Sequence, residues 1–288
     1  MSTSSDKLRA VAIHSERAAQ FEARYQALPR NPYQSTFTYG RHKISGVIEA
    51  RTATLPAGTR ALDVGCGVGQ VVVRLSEAGY EAYGVDVSEP NIDRARKFND
   101  RCALYDGHHL PFPDRHFASV GALNVLEHVE EPEAFIYELV RVVEPGGRVV
   151  LSSPNFFRVL GFRDYHPRMR GIANKWRNWR RLRAKVRQMK SAPDSVRFDR
   201  MKPIVKQPFT PDDDAIVATN PLEMTFFLER AGCVVESVAC TDRYVVKPLD
   251  FLLNLTPLRY LMFNAFLVAR QRSLPPHCDQ PGDDSPGA

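Results

Sequence analysis

Apolar and amphipathic stretches alternate along the chain between about residues 60 and 152. Five short runs bounded by turn residues predict strands: Arg60–Val64, Ala82–Asp86, Cys102–Tyr105, Phe117–Asn124 and Arg148–Ser152. The stretches between them predict helices: Gln70–Ala78, Glu89–Phe98 and Pro132–Val143. The turn Glu144–Gly147 is predicted to end the third helix. Strands that alternate with helices in this way predict a parallel sheet covered on both faces.

The pattern changes after the fifth predicted strand. Residues 158–219 are basic at first and proline-rich later, and we interpret them as an inserted helical lid. Regular structure resumes at Asn220, which together with Pro221 predicts the start of a helix that Gly232 ends.

Two further strands complete a mostly parallel, doubly wound α/β sheet of seven strands. They are predicted at Val234–Cys240 and Phe263–Arg270. The expected domain organisation is an N-terminal arm (1–20), a core (21–157), the basic lid (158–219), the C-terminal part of the core sheet (220–272) and a disordered tail (273–288).

The composition is that of a globular protein, with 43% apolar and 25% charged residues. The first 20 residues hold no apolar run long enough for a secretory signal, so we expect a cytoplasmic location. The five cysteines form no Cys-x-x-Cys pair, which argues against a disulfide framework and against a zinc site. We therefore expect no metal and reduced, mostly buried thiols.

Positive charge is concentrated in one segment. Between Arg158 and Lys190 there are twelve Lys or Arg and one acid, which gives this stretch +11 and leaves −5 for the rest of the chain. Because like charges repel, such a concentration indicates an anionic partner.

The most specific motif is the run Ala61–Gln70, in which a predicted strand leads through a glycine turn into a helix. Glycines let a backbone approach a ligand closely, and a helix N-terminus favours polar or anionic groups. The dinucleotide fingerprint requires a third glycine where this chain has Gln70, and it does not require the acid Asp63. An acid two residues ahead of Gly-x-Gly-x-Gly resembles the first motif of the class I S-adenosylmethionine-dependent methyltransferases.

The resemblance continues in order to about residue 155. Asp86 ends the second strand, where the family's acid binds the ribose, and Asp106 matches the position that meets the adenine amino group. Leu110–Asp114, Asn124–His128 and Glu144–Gly147 are similar to the family's small-molecule branch. Taken alone, each element has a purely structural alternative. The glycine turn is then only a tight strand-to-helix connection, and Asp86 is only a neighbour of a helix cap.

The resemblance implies a Rossmann-like fold and S-adenosylmethionine as cofactor. Matched to the family's motifs, the expected cofactor-binding residues are Asp63, Gly65, Cys66, Gly67, Gln70, Asp86, Val87, Asp106, Gly107 and Asn124. Arg41 follows an aromatic segment that covers the cofactor in related enzymes. It is a candidate partner of the methionine carboxylate, with surface packing as the alternative.

Three residues are candidates for catalysis, although an activated methyl donor mainly requires the enzyme to align the acceptor. His128 lies near the methyl donor in the family, with a capping or packing role as the alternative. His166 is either a base at the acceptor or a surface histidine in a loop. Asp213, in the run 212–214, either binds a metal or sugar hydroxyls or caps a helix.

A basic amphipathic helix is predicted within the lid. Its apolar positions recur at three- and four-residue steps: Ile172, Trp176, Trp179, Leu182, Val186 and Met189. An apolar face beside a cationic one is typical of helices in an anionic membrane interface, and packing on the chain's own core is the alternative. A second apolar stretch, Leu249–Leu261, either shapes an apolar pocket or enters lipid.

Three function classes follow from these features. The first is O-methylation of an amphiphilic or lipid-linked small molecule or glycan, since the core resembles ubiquinone-pathway and bacterial glycan or glycolipid methyltransferases. The second is an RNA methyltransferase, disfavoured because no Asn-Pro-Pro-Tyr-type motif follows the fourth strand; a nucleic-acid partner is not expected. The third is a silent binding subunit. The first class predicts a cytoplasmic enzyme attached peripherally to the inner face of the membrane, and the acceptor and the oligomeric state stay open.

Overall fold

A computed structural model describes residues 56–161, 166–204, 214–241 and 247–272, and its centre is a seven-stranded sheet. The strands of this sheet are β1 (Arg60–Val64), β2 (Glu81–Asp86), β3 (Cys102–Leu104), β4 (Phe117–Leu123), β5 (Val143–Pro154), β8 (Cys233–Thr241) and β9 (Asn264–Gln271). A separate two-stranded sheet consists of β6 (Asp199–Arg200) and β7 (Val217–Ala218). The described helices are α1 (Gln70–Glu77), α2 (Glu89–Ala95), α3 (Pro132–Arg141), α4 (Ile172–Ser191), α5 (Pro221–Arg230) and α6 (Lys247–Asn254).

The strand order is β3-β2-β1-β4-β5-β9-β8. The first five strands in this order pair in parallel, whereas β9 pairs antiparallel with both β5 and β8. The predicted seven-stranded, mostly parallel, Rossmann-like sheet is therefore confirmed.

Apolar side chains on both faces of the sheet hold the layers together. One buried cluster joins α3 and α5 to the sheet through residues such as Leu139 and Leu228, and a second joins α1 and α2 through Val72 and Ile92. Strands covered on both faces are expected to be almost continuously apolar, and six of the seven residues of β4 are buried.

The predicted turn at Glu144–Gly147 is a bulge within β5. Val143 already pairs with Phe117, and pairing resumes at Arg148 after the four intervening residues. Gly147 is required in this bulge, because a Cβ at that position would lie 2.9 Å from the Ala118 carbonyl oxygen. The third helix therefore ends at Arg141, two residues before the predicted end.

The region of the predicted lid contains α4, a 3-10 turn at Pro193–Ser195 and the small β6–β7 sheet. Its role as a lid stays a prediction. The predicted arm (1–20) and tail (273–288) lie outside the described residues, as does Cys278. The other four cysteines, Cys66, Cys102, Cys233 and Cys240, are buried free thiols, as expected. Within the described ranges, no helix has both the length and the apolar character needed to cross a bilayer.

Candidate functional site

The loops that follow β1, β2, β3 and β4 meet at one edge of the sheet, because these four strands are parallel neighbours. In open parallel sheets, ligands bind in the crevice at the carboxyl ends of the strands. Most of the predicted cofactor-binding residues lie in these loops or at the strand ends that precede them.

The glycine turn after β1 is fixed to the end of β2. The backbone amides of Gly65 and Cys66 donate to the Val85 carbonyl at 2.7 and 3.0 Å. The Gly67 amide donates to Oδ2 of Asp86 at 2.8 Å. These three bonds place the turn directly beside the predicted ribose-binding carboxylate.

Two glycines of the turn serve different purposes. Both have a positive φ, +72° at Gly65 and +54° at Gly67. A Cβ at Gly65 would collide with Cγ2 of Val125, so Gly65 allows the turn to pack against the loop after β4. At Gly67, no atom of the described residues lies within 4 Å of a Cβ position. The backbone at Gly67 therefore borders open space that a ligand can enter.

Asp86 is almost buried, with 8% of its surface exposed, and both carboxylate oxygens accept hydrogen bonds. Besides Gly67, its partners are the Ser88 amide at 2.8 Å and the Asn91 side-chain amide at 3.4 Å, both on Oδ1. A carboxylate oxygen has two acceptor positions, so these contacts leave Oδ2 with capacity for a ligand hydroxyl.

The side chains of Asp63 and Cys66 point into the protein. Burial, reinforced by the nearby carboxylate of Asp86, raises the pKa of Asp63 to about 8. The Cys66 thiol shares a hydrogen bond with the Cys102 thiol, and this hydrogen bond together with burial raises the pKa of Cys66. Both side chains are buried, with 4% of Asp63 and 7% of Cys66 exposed. Their predicted contacts with the cofactor stay predictions.

The loop after β3 forms a second wall. Oδ1 of Asp106 accepts from the amides of His108 and His109 at 2.8 Å each, and these bonds lower the pKa of its carboxyl. A Cβ at Gly107 would lie 3.3 Å from Cγ1 of Val87, which is 38% exposed. Val87 and Gly107 are thus neighbours at the edge where the resemblance places the adenine.

Tyr105 is part of this wall, although it was not among the predicted residues. Burial, followed by the carboxylates of Asp86 and Asp106, raises the pKa of its hydroxyl. Its amide also donates to the Asp86 carbonyl at 3.2 Å. The signal in the sequence that could have identified Tyr105 is its position at the end of a predicted strand.

Asn124 and Gln70 complete the edge. Asn124 directly follows β4 with a left-handed φ of 56°, and its amide donates to the Ser152 carbonyl at 2.8 Å. The Ser152 hydroxyl lies 3.3 Å from its side-chain oxygen. Gln70 is the half-buried first residue of α1, so it stands at the helix N-terminus above the glycine turn.

His128 lies between two carboxylates just beyond this edge. It ends the 3-10 turn Leu126–His128, and its Nδ1 is 3.7 Å from Oδ2 of Asp214, while Nε2 is 4.0 Å from Oε1 of Glu127. The Ile216 amide donates to the Glu127 carbonyl at 2.9 Å and thereby holds the segment of Asp214 against the turn.

Glu127 was not predicted as a site residue, and Asp214 was predicted only as part of the acidic run 212–214, not as a partner of His128. Glu127 is fully buried, and Oε2 accepts from the Ser153 hydroxyl at 2.8 Å. Ser153 is in turn 2.7 Å from the Thr219 hydroxyl. A carboxylate beside an imidazole favours the protonated ring that forms when the imidazole accepts a proton. The arrangement is therefore suited to a general base.

The remaining candidates have different outcomes. His166 is 3% exposed and packs edge-to-face on Phe156 with ring centroids 5.1 Å apart, so the interpretation as a surface histidine is wrong. Its Nδ1 accepts from the Arg168 amide at 3.2 Å. Its role as a base stays a prediction. Arg41 and Asp213 lie outside the described residues.

The methyltransferase domain family matches residues 62–151. These residues form a methyltransferase domain, as the resemblance to the class I S-adenosylmethionine-dependent methyltransferases predicted. The matched range runs from β1 through the loops described above to the middle of β5. It therefore contains the glycine turn, Asp86, Asp106 and His128.

The similarity to curated relatives covers about a third of this chain. A 2-methyl-6-phytyl-1,4-hydroquinone methyltransferase of Synechocystis is 34% identical over 108 residues, covering 35% of this chain and 34% of that protein. A ubiquinone biosynthesis O-methyltransferase of Azoarcus is 32% identical over 106 residues, covering 34% of this chain and 46% of that protein. This chain therefore spans less than half the length of either relative.

A solved structure supports the fold over a longer range. The YcgJ protein of Bacillus subtilis superposes with a TM-score of 0.50 at 15% identity, covering 81% of this chain and 99% of that one. At this identity the likeness concerns the fold alone.

The predicted family, and S-adenosylmethionine as the cofactor of the methyltransferase domain, are confirmed, and the site's geometry fits this cofactor. Gly67 borders open space beside the Asp86 carboxylate, as close approach of a nucleoside requires. Asp86 would hold the ribose, Val87 and Gly107 would flank the adenine, and the turn at the start of α1 would meet the polar methionine end.

Proposed function

We propose that the chain is an enzyme that transfers a methyl group from S-adenosylmethionine to a hydroxyl oxygen of an amphiphilic or lipid-linked small molecule or glycan. The observation that carries the proposal is the imidazole of His128, set between the carboxylates of Asp214 and Glu127 beside the cofactor edge. A hydroxyl acceptor loses a proton on methylation, and a base in this place can take it.

When bound, the cofactor supplies a sulfonium-activated methyl group. The residues of this chain would orient the cofactor and remove the proton of the acceptor. The glycine turn and Asp86 orient the cofactor, and the half-buried His128 faces the acceptor and removes its hydroxyl proton. Asp214 positions the ring and stabilises its positive charge after proton transfer. Buried Glu127, fixed by Ser153, supports the same turn from the inside.

Two observations support an amphiphilic acceptor. The Synechocystis relative is named for a phytyl-bearing hydroquinone and the Azoarcus relative for ubiquinone biosynthesis. In addition, the structure exposes leucine and phenylalanine side chains on α6 and the turn after it.

The test is incubation of the full chain with methyl-labelled cofactor and a polar lipid extract, followed by mass spectrometry. His128→Ala should leave cofactor affinity within about twofold and lower product formation by about 100- to 10,000-fold. His109→Ala is the matched control, because that side chain is 70% exposed. Asp214→Asn should lower the rate less, and in the double variant it should add little to His128→Ala.

Either of two results would overturn the proposal. An unchanged rate in His128→Ala would remove the base from the mechanism. A labelled product found in RNA, with none in lipids or glycans, would assign the acceptor to another class.

A further inference from the structure

Helix α4 packs on the protein through polar residues, which fixes the side it presents outward. The Asn178 side chain donates to the carbonyls of Phe156, Arg158 and Arg168 at 3.1 to 3.3 Å. One turn on, Leu182 is buried. The Lys185 ammonium is 2.7 Å from a carboxylate oxygen of Glu223. These contacts lie on one side of the helix and determine its rotation.

The opposite side of α4 combines cations with large apolar side chains. Ile172 is 88% exposed and Trp176 63% exposed. The exposed cations of the helix are Arg177, Arg180, Arg183, Arg187 and Lys190, and the helix contains no acidic residue. The sequence predicted a single apolar face, whereas the structure buries some apolar residues of α4 and exposes others. The helix therefore packs on its own domain and also exposes a side that is both basic and apolar.

A second exposed apolar surface, here called the apolar ridge, lies on α6 and the 3-10 turn after it. Its members are Leu249, Phe251, Leu252, Leu255 and Leu258, which are 45 to 67% exposed. The helix is attached to β8 through Asn254, whose side chain pairs with the amide and carbonyl of Cys240 at 2.8 and 2.6 Å. The expectation of an apolar pocket at 249–261 is wrong for these five side chains, since they face outward.

The elements that carry the two surfaces are held by one segment of the chain. The amides of Val159 and Leu160 both donate at 3.0 Å to the carbonyl of Leu261, the last residue of the 3-10 turn. The Lys175 ammonium, in the first turn of α4, donates to the carbonyl of the next residue along, Gly161. One short segment therefore contacts both the start of α4 and the end of the 3-10 turn that carries part of the apolar ridge.

We propose that the outward side of α4 and the apolar ridge together bind the surface of an anionic lipid membrane. An interface of acyl chains and anionic headgroups matches exposed leucines, phenylalanine and tryptophan on surfaces that also carry the exposed positive charge of α4. Nucleic acid would neutralise the arginines but leave the ridge in water. A second copy of the chain would bring its own basic helix against the first, with like charges opposed. The proposal concerns where the enzyme acts and does not depend on which acceptor it methylates.

The experiment is cosedimentation of the full chain with vesicles of phosphatidylcholine alone or with about one third phosphatidylglycerol, over a range of salt concentrations. Binding is expected only with the anionic vesicles, and it should weaken as salt screens the charges. Changing Arg180, Arg183 and Arg187 to Glu should weaken binding by about 100-fold or more, since each basic residue near such a surface contributes roughly fivefold.

A matched control reverses the same number of charges at the other edge of the sheet. Three exposed arginines lie at the amino ends of the strands: Arg60 begins β1, and Arg101 and Arg115 precede β3 and β4. Changing these three to Glu should leave most of the vesicle binding in place. Leu252→Glu with Leu255→Glu tests the ridge separately and should release the protein without changing its circular dichroism.

Trp176 provides a direct readout, because the chain has only two tryptophans. In a Trp179→Phe background, Trp176 fluorescence should shift to shorter wavelength when anionic vesicles are added. The proposal is overturned if the wild-type chain does not bind these vesicles at low salt, or if the control triple loses binding as much as the helix triple. A dimer that dissociates with the ridge variants, or retention on RNA without vesicle binding, would equally assign the surface to another partner.

Discussion

Asp86 combines an observed structural role with a predicted ligand-binding role in one carboxylate. Oδ2 accepts from Gly67 and Oδ1 from Ser88, so the side chain joins the glycine turn to the start of α2. The sequence motif predicted the contact of Asp86 with the ribose but not its link between the glycine turn and α2. These two hydrogen bonds come from backbone amides, and a pattern of side chains does not reveal which backbone amides a carboxylate will bind.

We predict that Asp86→Ala weakens S-adenosylmethionine binding by about 10- to 150-fold, since a hydrogen bond to a charged group contributes roughly 1.5 to 3 kcal/mol. Isothermal titration calorimetry measures this loss. Asp93→Ala is the control, because Asp93 is an exposed acid on α2. Unchanged affinity in a folded Asp86→Ala variant would remove the ribose assignment.

The partners of His128 show where prediction from sequence ends at this scale. The family motif indicated His128, but Asp214 lies far along the chain and reaches it through the hydrogen bond between Ile216 and Glu127. His166 was predicted to be either a base or a surface histidine in a loop, whereas the structure buries it with its ring packed on Phe156. Both contacts depend on tertiary structure.

At the scale of elements, the glycine turn separates a packing requirement from a ligand requirement. We predict that Gly65→Ala destabilises the fold, because its Cβ would collide with Val125, and that adding Val125→Ala recovers part of the loss.

Gly67→Val should instead preserve the helical content and abolish cofactor binding. It should lower the free energy of unfolding by about 1 to 2 kcal/mol, because the residue at this position has a left-handed backbone. Chemical denaturation and calorimetry on the same variants distinguish the two effects. Normal affinity in Gly67→Val would contradict close approach of the cofactor at this glycine.

Helix α4 is attached to the core by a buried ion pair. Lys185 lies 2.7 Å from Glu223 on α5 and 2.8 Å from Asp199 on β6. We predict that Lys185→Met lowers the free energy of unfolding by about 3 to 5 kcal/mol, since it leaves the Glu223 charge buried without its cation. Arg183→Met, an exposed change on the same helix, should stay within about 0.5 kcal/mol. Equal urea midpoints for the two variants would contradict this anchoring role.

The periodicity of α4 predicted a helix but not its docked side. Two of its three buried residues are polar, Asn178 and Lys185, because their partners are backbone carbonyls and carboxylates supplied by other segments. Apolar spacing therefore identified the element, whereas its orientation depended on polar contacts from elsewhere in the chain.

At the scale of the whole molecule, the parallel core was predictable because short runs typical of strands alternate with amphipathic helical stretches between about residues 60 and 152. The reversed direction of β9 was not, since antiparallel pairing with β5 and β8 follows from how the chain returns through α6. Element ends moved by one to three residues in most cases. The largest shift is in β5, where Val143 pairs ahead of the bulge.

The stability of the whole molecule should depend on the protonation of Asp63, which is buried in the middle of the sheet. Its pKa is raised to about 8 from an ordinary value of 3.8, so between these values the folded chain binds a proton that the unfolded chain releases. This contribution to stability is complete below about pH 4 and is lost as pH rises toward 8, by at most about 1.4 kcal/mol per pH unit. We predict that Asp63→Asn, whose amide cannot ionise, removes this loss, so that the variant gains stability relative to the wild type as pH rises from 5 to 8. Urea denaturation of both proteins across this range measures the difference. Parallel curves would show that Asp63 stays ionised in the folded chain.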